Sequence, residues 1–581
     1  KKTPRPELGP ALTIVRVAAG VWAGLALPLA VFKSLDTAGV GPAHLETGAW
    51  GYLFSSIYAP GAIIIHVIGA VAVFGIVTLM RTSPWIVGAL WVGAWATIAP
   101  VAVGHVLVGP NHDFASDMAY FQSLAETTAL GLVLMTGAVM AAGAFPTPRL
   151  WRRIFVTVTT LLGVTILAEP VIVVVKLAGQ PLLATPTGPM LVTKWAGGAL
   201  LVGALGVGAY LTRRNRATAS TLTTLVATGG VGVLAWLGAG GVMLREPPPQ
   251  YFVPTSISQV FMGYDVDGPA TAAAWFTDWR PNLFFLTLAV VGVGGYLAGV
   301  WMLRRRGDQW PVGRTIAWIL GWAVAVFITS SGMGKHSAPD FATHMLVHMT
   351  LNMLVPVFLV LGGVVTLALR VTSRARGELA GIHQWLTWVL NWRVTTRLYN
   401  PLFVFGFFIV SYYGLYLSDL FGTLMRFHWG HQLMNMHFLI VGFMFYSLVI
   451  GVDPNPRQLP HIGKLGYIVA AMPFHAFFGI VLMTSTSIIG ADFYQRLALP
   501  WADLARSQYV GGGITWAGGE IPLLIVVIAL GVQWARQDSR DARRKDRHLD
   551  SGLDPEFEAY NEMLEKLAAR EATTAPKESH D

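Results

Sequence analysis

Cysteine is absent from the chain. That excludes disulfides, CxxC redox motifs and thiolate metal sites, so any soft metal ligand must be methionine. Charge is scarce as well. Asp, Glu, Lys and Arg together make up 12% of the residues, against about 25% in soluble domains. There is no glycine-rich phosphate loop, Walker motif or HExxH, which argues against an ATP-driven pump. No cleavable signal sequence is evident; because residue 1 is Lys, the native chain is expected to begin upstream. The two halves show no sequence repeat.

What the chain does have is apolar surface. Hydrophobic residues are 54% of 581, with a mean hydropathy of +0.56. Fourteen runs are long enough to cross roughly 30 Å of hydrocarbon as helices. They fall near 11–33, 52–80, 85–108, 118–144, 152–177, 188–211, 220–244, 281–303, 312–333, 341–369, 400–420, 430–451, 465–489 and 518–535. Alternating ten-residue segments of a barrel are not seen. The expected fold is an all-α polytopic membrane protein of about fourteen transmembrane helices in two seven-helix bundles. The expected units are a membrane domain over 1–245, a linker loop over 246–280, a second membrane domain over 281–540 and a charged tail over 541–581.

The net charge of +9 does not call for nucleic acid, because the basic residues sit in short loops where they set orientation. One set of loops holds Arg149, Arg152 and Arg153, Arg213, Arg214 and Arg216, Arg304, Arg305, Arg306 and Arg314, Arg370, Arg374 and Arg376, and the basic tail. The opposite loops hold Lys33, Lys335 and Arg426. The positive-inside rule puts both termini in the cytoplasm of a bacterial plasma membrane. The run Arg536 to Arg547 reads as a cytoplasmic anchor, with membrane lipid as its contact. The stretch 371–399 contains GIHQWLTWVLNW and reads as an interfacial helix.

This topology puts ten of the fifteen histidines at or near the extracytoplasmic face: His44, His66, His105, His112, His336, His344, His348, His428, His431 and His437. His475 lies near mid-membrane. His344 and His348 are i, i+4 and project from one helix face. Ionisable groups inside a bilayer are costly and usually functional, so metal ligation competes with a polar packing patch here. Asp340, one turn outward, is placed to orient an imidazole. Met345, Met349 and Met353 form a parallel stripe, readable as soft ligands or as gap-filling core. In the twelfth span His431, Met434 and Asn435 share a face, His428 precedes them, and His437 lies about 120° from His431. His475 follows Met472-Pro473-Phe474, and Glu520 is expected at the outer boundary of the last span. In the first half, His66, His105 and His112 are weaker candidates, with Asp113 beside the last. Glu126, Glu169, Lys176 and Lys194 are intramembrane charges. Glu169 and Lys194 lie on adjacent spans, where a buried ion pair is a purely structural explanation.

At these residues the second half resembles the CtaG family of cytochrome c oxidase assembly proteins associated with caa-type oxidases. The matching stretches are HMLVHMTLNMLVPVFLVLGG (344–363), HQLMNMHFLIVGFMFYSLVIGVDPNP (431–456), MPFHAFFGIVLM (472–483) and GGGITWAGGEIP (511–522). The first half resembles the CopD copper-resistance membrane domain, mainly through TPTGPMLVTKWAGGALLVGALGVGAYLTRR (185–214) and more weakly through IIIHVIGAVAVFG (63–75). The whole looks like an actinobacterial CopD–CtaG fusion. The resemblance implies copper handling by the first half and oxidase maturation by the second, through His344, His348, His431, His437, His475 and Glu520, with Lys194 as the matching residue in the first. It implies oxidase subunits or other assembly factors as partners, and a soluble extracytoplasmic copper donor that this chain does not contain.

The expectation is a non-enzymatic protein that takes up copper, as Cu(I), at the outer face. His344 and His348 hold it with help from His431, His437 or His475, and it passes to an oxidase subunit. Two other readings stay open: a haem-b electron-transfer protein, since His on neighbouring helices can ligate haem, and an assembly scaffold that binds no metal.

Overall fold

The computed structural model describes residues 9–38, 41, 59–79, 84–373, 380–457, 459–550 and 555–574. It is all-helical, with no strand among the described residues. His44 lies outside them.

The first half contributes α1 (Gly9–Ala38), α2 (Ala59–Leu79), α3 (Pro84–Val101), α4 (His112–Ala141), α5 (Pro148–Leu177), α6 (Thr187–Arg213) and α7 (Ala219–Met243). Several start where the sequence supplies a cap. Thr147 accepts from Leu150 N ahead of Pro148, and Thr218 accepts from Thr221 N. Each cap satisfies one of the donors left open at a helix start.

The second half contributes α8 (Leu283–Arg305), α9 (Val312–Ser330), a three-part tenth span, α13 (Pro401–Tyr416), α14 (His428–Ile450), α15 (His461–Thr484) and α16 (Leu504–Asp550). The tenth span runs as α10 (Phe341–Met349), a π turn (Thr350–Leu354), α11 (Val355–Gly362) and α12 (Val364–Val371). Pro356 has no N–H to offer the Asn352 carbonyl, and the π turn sits where that bond would close. Gly363 takes the left-handed conformation at φ +63° and separates α11 from α12.

Among the described residues, thirteen helices are long and apolar enough to cross a membrane, against about fourteen expected. The difference is α13. It has 16 residues, about 24 Å at the helical rise, and ends at Tyr416 before a turn. The last span also departs from expectation. It begins at Leu504, because the polar stretch before Gly511 is helical too. Glu520 is therefore well inside that span and not at its boundary.

The largest core of the second half is aromatic and thioether-rich. Met345, Met349, Phe408, Tyr412, Phe438 and Phe478 are among its buried members. The 245–280 connection is folded, with short helices at Pro249–Phe252, Ile257–Met262 and Ala272–Thr277. It ties to both halves: Asn111 N donates to Gly263 O at 2.7 Å, and Trp501 Nε1 donates to Val266 O at 3.2 Å.

Candidate metal centre

Three histidines converge beneath this connection. His344 and His348 come from α10, one turn apart, and His431 comes from the first turn of α14. One ring nitrogen of each lies within 4.8 Å of the others. The ring centroids of His344 and His348 are 4.0 Å apart, and that of His431 is 5.2 Å from His344. His344 and His348 are fully buried, while His431 is half-buried.

The hydrogen bonds prepare these rings to ligate. His344 Nδ1 donates to the Ser337 carbonyl at 3.2 Å. A carbonyl only accepts, so the proton is on Nδ1 and the Nε2 lone pair is free. His348 Nδ1 lies 2.6 Å from the Tyr416 hydroxyl. Nε2 of all three rings is buried without a partner. Unpaired polar atoms in a core are costly, and here three such rings lie together. Ligands to one small cation, bound at roughly 2.0–2.1 Å, sit about 3.5 Å apart in a trigonal set. Small side-chain movements close the observed spacing. No carboxylate belongs to the group, so the donor set is neutral.

The other candidates are placed elsewhere. His437 Nε2 pairs with Ser411 Oγ at 2.8 Å on another face of α14. His475 is buried with both ring nitrogens unpartnered, but it packs on Tyr412 (4.9 Å), and Phe438 stands between Tyr412 (5.3 Å) and His348 (4.6 Å). A Cβ on Gly519 would come within 1.9 Å of its Nδ1, so α16 approaches this ring only as glycine. Glu520 Oε1 is buried and unpartnered. None of the three belongs to the 4.8 Å group. Met345 and Met349 pack against Gly511 and Gly518 of α16, and Met353 accepts from the Tyr446 hydroxyl at 3.5 Å. Met434 lies in the same core. Met345 and Met349 thus face the last span, about 100° from the histidine face, one residue's rotation along the helix, while Met353 faces α14.

Asp340 does not orient an imidazole. Its Oδ2 caps α10 through Thr343 N at 2.8 Å and its Oδ1 accepts from Ser507 Oγ at 2.5 Å. His66 is held at both nitrogens, by Ala96 O and the Trp22 indole. His336 Nδ1 bonds Gly332 O at 2.8 Å. His105 rests on Tyr251, with ring centroids 5.3 Å apart. His112 Nδ1 bonds Gly109 O at 3.0 Å, and its ring stands edge-on to His428 at 6.3 Å.

His428 leads to a residue that sequence reasoning missed. Its Nε2 lies 2.8 Å from Asp117 Oδ1 of α4. Asp117 also accepts from Gln432 Nε2 (2.9 Å) and Phe284 N (3.0 Å). A span start set at 118 leaves Asp117 in a loop. Read inside the helix, an almost fully buried acid is the signal. Deeper in the first half, Lys194 Nζ lies 3.0 Å from Glu169 Oε2 and 3.5 Å from Glu126 Oε2.

Residues 294–537 match the family described as the cytochrome c oxidase caa3 assembly factor (Caa3_CtaG), and that match implies a role in cytochrome c oxidase assembly. The chain is also 38% identical over 564 residues to the uncharacterized protein Mb0105 of Mycobacterium bovis, covering 94% of this chain and 82% of that protein. Uncharacterized protein ML1998 of Mycobacterium leprae is 38% identical over 565 residues, covering 95% and 82%. The chain belongs to one family with these mycobacterial proteins. No solved structure matches it.

Proposed function

We propose that this protein binds copper as Cu(I) at His344, His348 and His431, on the extracytoplasmic side of a bacterial plasma membrane, and supplies it to cytochrome c oxidase during assembly. The observation that carries this reading is the convergence of three imidazoles, each with a ring nitrogen within 4.8 Å of the others and each with a buried, unpartnered Nε2. Their chemistry favours a soft, singly charged ion. Imidazole suits copper, and Cu(I) accepts low coordination numbers. A neutral ligand set in a dry interior tolerates one positive charge better than two. The first half, with its resemblance to CopD, is the side from which copper arrives in this reading.

The spacing speaks against haem at this pair: His344 and His348 sit one turn apart on one helix with ring centroids 4.0 Å apart, closer than two imidazoles on opposite faces of one haem iron can stand. Copper content of the purified protein after dialysis is the test. Wild type is expected to retain about one copper per chain and the His344→Ala/His348→Ala variant essentially none. Equal retention refutes the site. A b-type α-band in a reduced-minus-oxidised spectrum would replace copper with haem.

A further inference from the structure

A small polar cavity, about 40 Å³, lies against the half-buried side of the histidine cluster. That is room for a water molecule or two, or a small cation. His431 and Asn435 of α14 line it, together with Asp113 and Asp117 of α4, Arg280 and Lys335. The fixed cations are already paired. Arg280 donates to both carboxylate oxygens of Asp113, at 2.6 and 2.7 Å, and Lys335 donates to Asp278 at 2.6 Å. Asp117 is left with no lysine or arginine partner among the described residues; a histidine faces it instead. Asn435, 2% exposed, contributes an Oδ1 with no hydrogen-bond partner.

Asp117 Oδ1 and His428 Nε2 are 2.8 Å apart. The two residues are hydrogen-bonded to each other and line the same cavity as His431, so an ion entering that cavity meets a carboxylate and an imidazole before it meets the three histidines. We infer that Asp117 and His428 form an outer waiting site for the copper ion, with His431 the next ligand inward. The ion takes the place of the proton between the two groups, and the proton leaves to solvent. His428 is three residues from His431 on the same helix, so one turn of α14 carries the ion from the waiting pair to the final three. The first half of the chain thereby supplies a ligand to a route that ends in the second.

This inference rests on the copper reading of the three histidines, and one experiment separates the two. The purified full chain is loaded with Cu(I) from a competing chelator, and both the rate and the final stoichiometry are followed. His428→Gln removes the ligand but keeps an amide donor for Asp117, and Asp117→Asn keeps an acceptor for Phe284 N. Both are expected to reach wild-type stoichiometry on the order of tenfold more slowly. Wild-type rates in both variants would overturn the waiting site while leaving the histidine centre intact. Loss of final stoichiometry in both would also overturn it, by making the pair part of the final site. Full copper in His344→Ala/His348→Ala would instead refute the centre itself.

Discussion

Single side chains carry the steepest energies in this molecule where charge is buried in a span. Lys194 is 7% exposed and neutralises Glu169, with Glu126 beside it. Trp195 Nε1 also donates to Glu169, at 3.2 Å. Gln122 Nε2 donates to Glu169 as well, and Trp236 Nε1 donates to Glu126. Lys194→Met would remove the direct ion-pair partner of Glu169, a loss of about 3–5 kcal/mol. The expected result is a much lower thermal midpoint in detergent, largely restored by adding Glu169→Gln. A double variant melting as low as the single would show that pairing is not what the lysine provides. Lys194 and Glu169 were legible because charged residues stand out in apolar runs. His344 and His348 were legible from their spacing. Ser337, whose carbonyl fixes the tautomer of His344, and Tyr416, whose hydroxyl holds the His348 ring, were not. One is 7 residues away and the other 68, and nothing in a periodic pattern marks a hydroxyl or carbonyl that will face an imidazole.

Between elements, the crossing of α14 with the tenth span decides whether His431 reaches the α10 pair. A Cβ on Gly442 would lie 2.1 Å from the Asn352 carbonyl oxygen. That oxygen belongs to the π turn and cannot swing aside as a side chain would. Gly442→Ala must push the helices apart, at a cost of about 1–3 kcal/mol. Copper affinity is expected to fall in the same variant, measured by chelator competition, although residue 442 is eleven positions from His431. Unchanged affinity would mean the crossing does not set the site. Apolar periodicity finds the buried face of a helix but not its partner, so this crossing was hidden, and so was the interrupted tenth span. The sequence does contain Pro356 and Gly363, but proline and glycine in a membrane helix leave several outcomes open. The early start of α16 was missed for a different reason. Polar residues before Gly511 depress hydropathy, while the helix continues through them.

In the molecule as a whole, a polar seam joins α4 to the second half. Arg280 lies between Asp113 on one side and the aromatic rings of Phe114 and Tyr264, each 4.3 Å from its guanidinium carbon. Burial pushes the Tyr264 hydroxyl well above its ordinary range, with the Asp113 charge adding to it, so the tyrosine stays neutral there. A double-mutant cycle on Asp113→Ala and Arg280→Ala, read by thermal or denaturant unfolding, is expected to give a coupling on the order of 0.5–3 kcal/mol. A coupling of zero would make the halves energetically independent. The expectation of two bundles joined by a loop did not include the seam, because the residues that meet there are separated by more than 160 positions.

That separation has a consequence for how such a chain changes over generations. Asp117 is held by Phe284, His428 and Gln432, which lie 167, 311 and 315 positions further along. A substitution at Asp117, His428 or Gln432 alters what the other two can tolerate, while Phe284 contributes its backbone N–H. The two halves are therefore not free to accumulate changes separately, and the order in which changes arise constrains which later ones survive.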